Sequence, residues 1–290
     1  MSEQEPSRLT VRKTYKLFIG GAFPRSESGR SYPVHGARGE VLAHAAQASR
    51  KDVRDAVVAA RAAFTGWSGT TAYNRGQVLY RIAEMLEGRA EQFAAEIQAA
   101  EGCTPDDARD QVDRAIDRWV HYAGWADKYA QVVGATNPVA GPYFTFSLPE
   151  PTGVVAVVAP PRPSLLGLVS VLAPPLTTGN TVVVIASTPC PLPAVSFTEV
   201  LATSDLPAGV ANVLTGFGTE LAPWLASHRD VNAIDLTGVD LADRAPLQVA
   251  AADNVKRVFA PRTDDWASEP GLSRLGAFVE TKTVWHPIGV

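Results

Sequence analysis

An α/β protein built on a doubly wound parallel sheet is what this sequence predicts, and three observations carry that expectation. Short uninterrupted apolar runs such as "GVVAVVA" (153–159) and "NTVVVIA" (180–186) read as strands covered on both faces. Segments of helical period separate these runs, the alternation that builds parallel sheets. The chain has 290 residues, 46% apolar and 19% charged, which suits one large or two modest globular domains.

The elements follow in order. "KLFIGGAF" (16–23) and "RSYPVHG" (30–36) read as two short strands around a polar turn. Ser49 is placed to cap a helix, with Asp52 in the first turn, where a helix N-terminus favours negative charge. Val53, Ala56, Val57, Ala60 and Phe64 then share one face. Further helices are expected at 74–87, 90–101 and 105–131, so the first 130 or so residues are mainly helical. Residues 132–155 hold Gly, Pro and Asn turn signals beside alternating residues. Tyr143, Thr145 and Ser147 alternate with Phe144, Phe146 and Leu148, which predicts a long hairpin with one wet and one covered face. From 153 onward strands at 153–159, 180–186, 209–216, 231–238 and 254–260 alternate with helices at 164–176, 192–203, 219–227 and 240–252. Such sheets take ligands at the C-terminal ends of their strands. In the tail, Phe278, Glu280, Lys282 and Val284 alternate with Val279, Thr281, Thr283 and Trp285, a strand that belongs to no βα unit.

Composition excludes several functions. A net charge of -4 without a basic stripe argues against a nucleic-acid partner. No apolar run is long enough to span a membrane, and the polar start "MSEQEPSRLTVRKTY" reads as a leader without the apolar segment of a secretory signal. Cys103 and Cys190 lie in unlike contexts, so a structural disulfide is not expected and a reduced, cytoplasmic compartment is. His35, His44, His121, His228 and His286 show no metal-ligand spacing, so no metal site is expected.

Few residues stand out as chemical candidates. A nucleophilic thiolate needs a base or a positive environment, and neither "AEGCTP" around Cys103 nor "STPCPLP" around Cys190 supplies one in sequence. "GFGTE" (216–220) can cradle a phosphate but reads first as a strand-to-helix turn. Glu150, before Pro151, reads as a turn residue. Trp119, Tyr122, Trp125 and Tyr129 form a helical stripe that belongs to core or interface rather than to a stacked cofactor. Arg162 stands where it could draw an anion to the opening of the helix at 164. In "KRVFAPRTDDW" (256–266) a strand ends abruptly in Pro261, followed by Asp264 and Asp265.

"LFIGGAF", "RKDVRDAVVAARAAFTGWS", "EPTGVVAVVAP", "LAPPLTTGNTVVV", "LPAGVANVLTGFG" and "IDLTG", over residues 16 to about 260, together with the tail "ETKTVWHPIG", resemble segments of the aldehyde dehydrogenase family in the same order. The resemblance implies a Rossmann-like cofactor domain and a small β oligomerisation arm. It also implies a catalytic domain with a nucleophilic cysteine after the strand at 254–260. Here the chain passes instead through 263–277 straight to the arm strand. The implied division is an N-terminal helical part at 1–131, an oligomerisation hairpin at 132–150 and a Rossmann-like αβ domain at 151–262. A linker at 263–277 replaces the catalytic domain, and an arm strand occupies 278–290.

Measured against the family's motifs, the site residues depart one by one. Arg162 occupies the position of the asparagine that donates to the substrate oxyanion. Ile185, Ala186, Ser187 and Thr188 replace the segment whose lysine and glutamate hold the adenosine ribose. Gly238 is kept, but Val239 replaces the phosphate-facing serine and Asp243 the second glycine. Pro261 replaces the general-base glutamate. No catalytic, cofactor-binding or metal-binding residue is therefore assigned, and no cofactor is expected; if any binds, it is NAD or NADP. The expected role is that of a non-catalytic family pseudoenzyme. It would be a structural or regulatory subunit of an active full-length paralogue, or self-associate, through the hairpin 132–150 and the strand 278–287. The alternative is a component of an NAD(P)-dependent aldehyde oxidoreductase, or a nucleotide-binding module with weak dinucleotide binding.

Overall fold

In the computed structural model, which describes residues 11–289, the five apolar runs form one parallel sheet. The sequence leader falls largely on residues 1–10, outside the described residues. The chain begins with β1 (Thr14–Tyr15), β2 (Ser31–His35) and β3 (Val41–Ala46), a small sheet of order β1-β3-β2. Residues 16–23 are not the strand expected of them: they contribute only the bridges Phe18–Val213 and Ile19–Ala22. Gly20 and Gly21, at φ 61 and 77, turn the chain in the left-handed region and interrupt the extended run. β3 went unforeseen because "VLAHAA" carries almost no β-branched signal.

Helices α1 (Arg50–Gly69), α2 (Ala72–Glu87), α3 (Ala90–Glu101) and α4 (Pro105–Trp125) follow, then a short α5 (Tyr129–Val133). Ser49 caps α1 in a reciprocal box: its Oγ accepts from Asp52 N, and Asp52 Oδ2 accepts from Ser49 N at 2.7 Å. The helix expected over 105–131 is broken at 126–128, where the backbone closes in tight turns from Ala126 N to Ala123 O and from Lys128 N to Trp125 O. Within the aromatic stripe, Trp119, Tyr122 and Tyr129 are buried, and Trp119 stacks on Phe197.

The main sheet takes β6 (Val154–Val158), β7 (Thr181–Ile185), β8 (Ala211–Leu214), β9 (Ala233–Asp235) and β10 (Arg257–Phe259) in the order β10-β9-β6-β7-β8. The connecting helices are α6 (Leu166–Thr177), α7 (Leu192–Ala202), α8 (Gly218–Ser227) and α9 (Arg244–Ala252), with a 3-10 turn at Leu241–Asp243. Period-two side-chain direction splits β6 between two cores. Val155 and Val157 face the layer of α2, α4 and α6, whereas Val154, Ala156 and Val158 face the layer of α1, α8 and α9. Burial on both faces is why these strands read as unbroken apolar runs.

The arm is a three-stranded antiparallel sheet of β4 (Ala135–Asn137), β5 (Tyr143–Pro151) and β11 (Val279–Pro287), in the order β11-β5-β4. β11 pairs with β5 over nine residues, from Val279 opposite Pro151 to Pro287 opposite Tyr143. Neither face is covered as the alternation suggested. Thr145 is the buried residue, while Tyr143, Phe144, Leu148 and Trp285 stay exposed. Glu150 lies inside β5 rather than in a turn, and it pairs with Lys282 at 2.9 Å.

Candidate functional site

The crevice lies at the C-terminal ends of β6, β8 and β9, where the connections diverge to opposite faces of the sheet. It encloses about 520 Å³, within the range of small-molecule pockets. Val158, Phe217, Ala222, Val239, Pro246 and Leu247 form its apolar walls, and Thr188, Thr219, Asp240 and Asp243 its polar ones. Among the described residues no lysine or arginine lines it. Asp240 and Asp243, both exposed, make no side-chain hydrogen bond among the described residues, so their negative charge is uncompensated at the crevice.

Each strand end explains part of this character. The "GFGTE" turn joins β8 to α8, whose N-cap Phe217 offers no side-chain bond. Thr188 lines the crevice, but its hydroxyl already donates to Gly216 O at 2.9 Å. Gly238 is needed for packing: a methyl there would overlap the Ala159 carbonyl oxygen, because residue 238 donates its amide to Val158 O. Val239 packs into the core layer beneath α9. Arg244, buried, gathers the carbonyls of Thr237, Val239 and Pro261, which ties the end of β10 to the opening of α9.

Arg162 does not draw an anion to the opening of α6. That position is filled from within: Glu101 Oε1 accepts from Ser164 N at 2.7 Å and from Ser164 Oγ, and Gln111 Oε1 accepts from Leu165 N at 2.9 Å. The carboxylate therefore sits where a helix N-terminus favours negative charge, and the site for an external anion is taken. The exposed Arg162 lies instead within electrostatic reach of both cysteines.

Cys103 and Cys190 are free thiols. Cys103 follows the left-handed cap Gly102; burial pushes its pKa up, Glu101 adds to this, and Arg162 opposes it more weakly. Cys190 is buried, with Sγ 3.7 Å from Ala100 O, and burial likewise raises its pKa despite Arg162. Both thiols are thereby biased toward the protonated, unreactive form. Among the described residues no group of three or more His, Cys, Asp and Glu side chains is arranged to hold a metal, and no helix is long and apolar enough to cross a membrane.

The segment after Pro261 proved more structured than a spacer. It carries α10 (Ser273–Ala277), with Leu275 and the adjoining Phe278 fully buried. Arg274 Nη1 donates to Asp235 Oδ2 at 2.7 Å and its Nη2 to Asp264 Oδ1 at 2.5 Å, and Thr237 Oγ1 accepts from both. Its guanidinium lies over the rings of Phe259 and Trp266, 4.8 and 5.6 Å from their centroids. Arg118 holds the loop from behind, donating to Trp266 O at 2.6 Å and to Ser268 O at 2.9 Å, and Arg114 donates to Ala267 O at 2.8 Å. Asp235 at the end of β9 and Arg274 are therefore one buried unit; the sequence reading missed it because the partners lie 39 residues apart.

Fold and crevice together define an open α/β chain of the nucleotide-fold class, with its ligand crevice at the switch point of the sheet. The chain belongs to the aldehyde dehydrogenase family, whose model matches residues 24–260. It is 33% identical over 261 residues to mitochondrial benzaldehyde dehydrogenase of Antirrhinum majus, covering 88% of this chain and 48% of that protein. It is 35% identical over 256 residues to human retinal dehydrogenase 2, covering 86% and 48%. Among solved structures, HpcC from Thermus thermophilus superposes with a TM-score of 0.81 at 33% identity, over 85% of this chain and 48% of that one. An NAD+ complex of an aldehyde dehydrogenase from Bacillus cereus superposes with a TM-score of 0.81 at 27% identity, over 85% and 50%. The chain thus spans about half the length of these relatives, and 29% of mouse cytosolic 10-formyltetrahydrofolate dehydrogenase.

Proposed function

We propose that this protein is a non-catalytic member of the aldehyde dehydrogenase family that works as a subunit, either of an active full-length paralogue or of its own homo-oligomer. The observation that carries the reading is the arm. A nine-residue strand, β11, is brought back by the pinned 263–277 segment to pair fully with β5. The resulting sheet exposes apolar side chains on both faces, Tyr143 and Trp285 on one and Phe144 and Leu148 on the other. A monomer gains little from keeping such a sheet, whereas unpaired strand edges and exposed aromatic residues are what a partner sheet covers.

The crevice supports the non-catalytic half of the reading. Its described lining offers two carboxylates and no cation to a dinucleotide diphosphate, so electrostatics oppose rather than favour that ligand. Both thiols are held protonated by burial, Arg162 stands at the position of the oxyanion donor, and Pro261 at that of the general base.

The test is affinity recovery of the tagged chain from its own source, beside the variant Phe144→Ser/Trp285→Ser. An aldehyde dehydrogenase, or an untagged copy of this chain, is expected with the wild type and not with the variant. Equal recovery with both, or neither species with the wild type, would sink the proposal.

A further inference from the structure

The anion-binding character missing from the crevice is found elsewhere. A cleft of about 240 Å³ opens between β1 and the turn that leads into β2. Lys16, Arg25 and Arg30 line it with Thr14, Ser26 and Ser31, and among the described residues no carboxylate does. In a chain of net charge -4, three bases around one concavity is a local excess of the opposite sign. Eleven other lysines and arginines of the described residues sit in ion pairs; among those residues these three make neither an ion pair nor a side-chain hydrogen bond. The two carboxylates joined to the 25–30 turn are already engaged. Asp52 accepts from Ser26 Oγ at 2.7 Å, Glu27 N and Ser49 N, while Glu27 faces Lys51 and Ser49.

The walls are held in place. Ser26 is buried, Gly29 N donates to Ser26 O at 2.9 Å with Gly29 at φ 68, and Gln47 N donates to Arg30 O at 2.9 Å. The turn bearing two of the three bases is therefore fixed to the capping box of α1 and to the end of β3. Beyond the shared wall of Thr14, Tyr15 and Lys16 lies a second, more apolar cleft of about 210 Å³ that includes Phe23, Val195 and Glu199, whose carboxylate is paired with Lys13 and Arg89.

We propose that this paired cleft is a binding site for a phosphate group, the three bases taking the anion and the second cleft admitting an organic body. Two guanidinium forks and an ammonium match the charge and donor character that a phosphoryl group calls for. Cationic concavities also concentrate such anions by focusing the field.

The experiment is calorimetric titration of the whole protein with inorganic phosphate, pyrophosphate and phenyl phosphate at low and at physiological salt, with two-dimensional NMR to locate the perturbed amides. The expected result is saturable binding with amide shifts confined to 14–16 and 25–31. Affinity should fall at least tenfold in Arg25→Gln/Arg30→Gln and stay unchanged in Arg81→Gln, which removes one positive charge from a distant helix. Phenyl phosphate binding more tightly than inorganic phosphate would identify an organic phosphate as the natural class; equal affinity would identify the free ion. Flat titrations, or an affinity that Arg81→Gln lowers as much as the double variant, would overturn the site.

Discussion

Removing Arg274 is expected to cost the protein more than any other single charge deletion. Asp235 is wholly buried, and the Arg274 side chain is 10% exposed at 2.7 Å from it. Burial raises the Asp235 pKa and Arg274 is the first influence opposing that rise. In Arg274→Met the carboxylate loses its counter-charge and stays in the core, a change that costs about 3–5 kcal/mol when one partner of a buried pair is deleted. For a chain of this size each kcal/mol moves Tm by about 2–4 °C, so a loss on the order of 10 °C or more is expected in differential scanning calorimetry. The sign of the pH dependence is fixed. Asp235 in the variant has a folded-state pKa raised further above its unfolded value. Its protonated form is thus the stable one in the fold, and the stability it contributes is present at low pH and lost as pH rises through the folded pKa. The penalty relative to wild type must therefore shrink as pH falls toward the ordinary carboxylate range and be largest at neutral pH. Asp235→Leu/Arg274→Met, which removes both charges, should recover most of the loss. A single-variant penalty below about 1 kcal/mol, or one that does not change with pH, would refute the reasoning that the 263–277 segment is clamped by this pair.

Gly238→Ala should destabilise the protein by more than about 2 kcal/mol in urea unfolding, because the added methyl overlaps the Ala159 carbonyl oxygen and the backbone must shift. Ser49→Ala should cost about 1 kcal/mol by the same measurement, the value of a lost N-cap, since Ser49 closes the box that also receives Ser26 and Glu27. Toward a thiol reagent at neutral pH, Cys103 should react more slowly than a free cysteine and Cys190 only on unfolding, as their raised pKa values and the burial of Cys190 require. Titration with NAD to millimolar concentration should shift no NMR amide signal of the crevice segments 217–219 and 238–247, and Asp240→Asn/Asp243→Asn should move the crevice toward binding rather than away from it.

Much of the fold was legible because its signals are local. Burial on two faces writes a strand as an unbroken apolar run, and Val155, Val157, Val182 and Val184 on one core with Val154, Val183 and Ile185 on the other are such a case. Caps are equally local, and Ser49 with Asp52 announced the start of α1 within four residues. What stayed hidden depends on partners far along the chain. β3 is alanine-rich and becomes a strand only by pairing with β1 and β2. Glu101 reaches Ser164 across 63 positions and fills the helix opening next to Arg162. Arg274 reads in sequence as a linker residue, and its meaning comes from Asp235, a carboxylate buried at a strand end. The departures at Arg162, Val239, Asp243 and Pro261 were visible only against the family's motifs, since no spacing within this chain marks those positions.

The central claim, that the arm exists to hold another subunit, is tested most directly by the native mass of the particle that carries this chain in its own source. Native mass spectrometry of the gently purified complex is expected to give a defined oligomer that contains either an aldehyde dehydrogenase or further copies of the chain. The same measurement on Phe144→Ser/Trp285→Ser is expected to give a folded monomer, since both side chains are exposed in the single chain, at 48% and 59%. A wild-type particle with the mass of one chain alone would contradict the account.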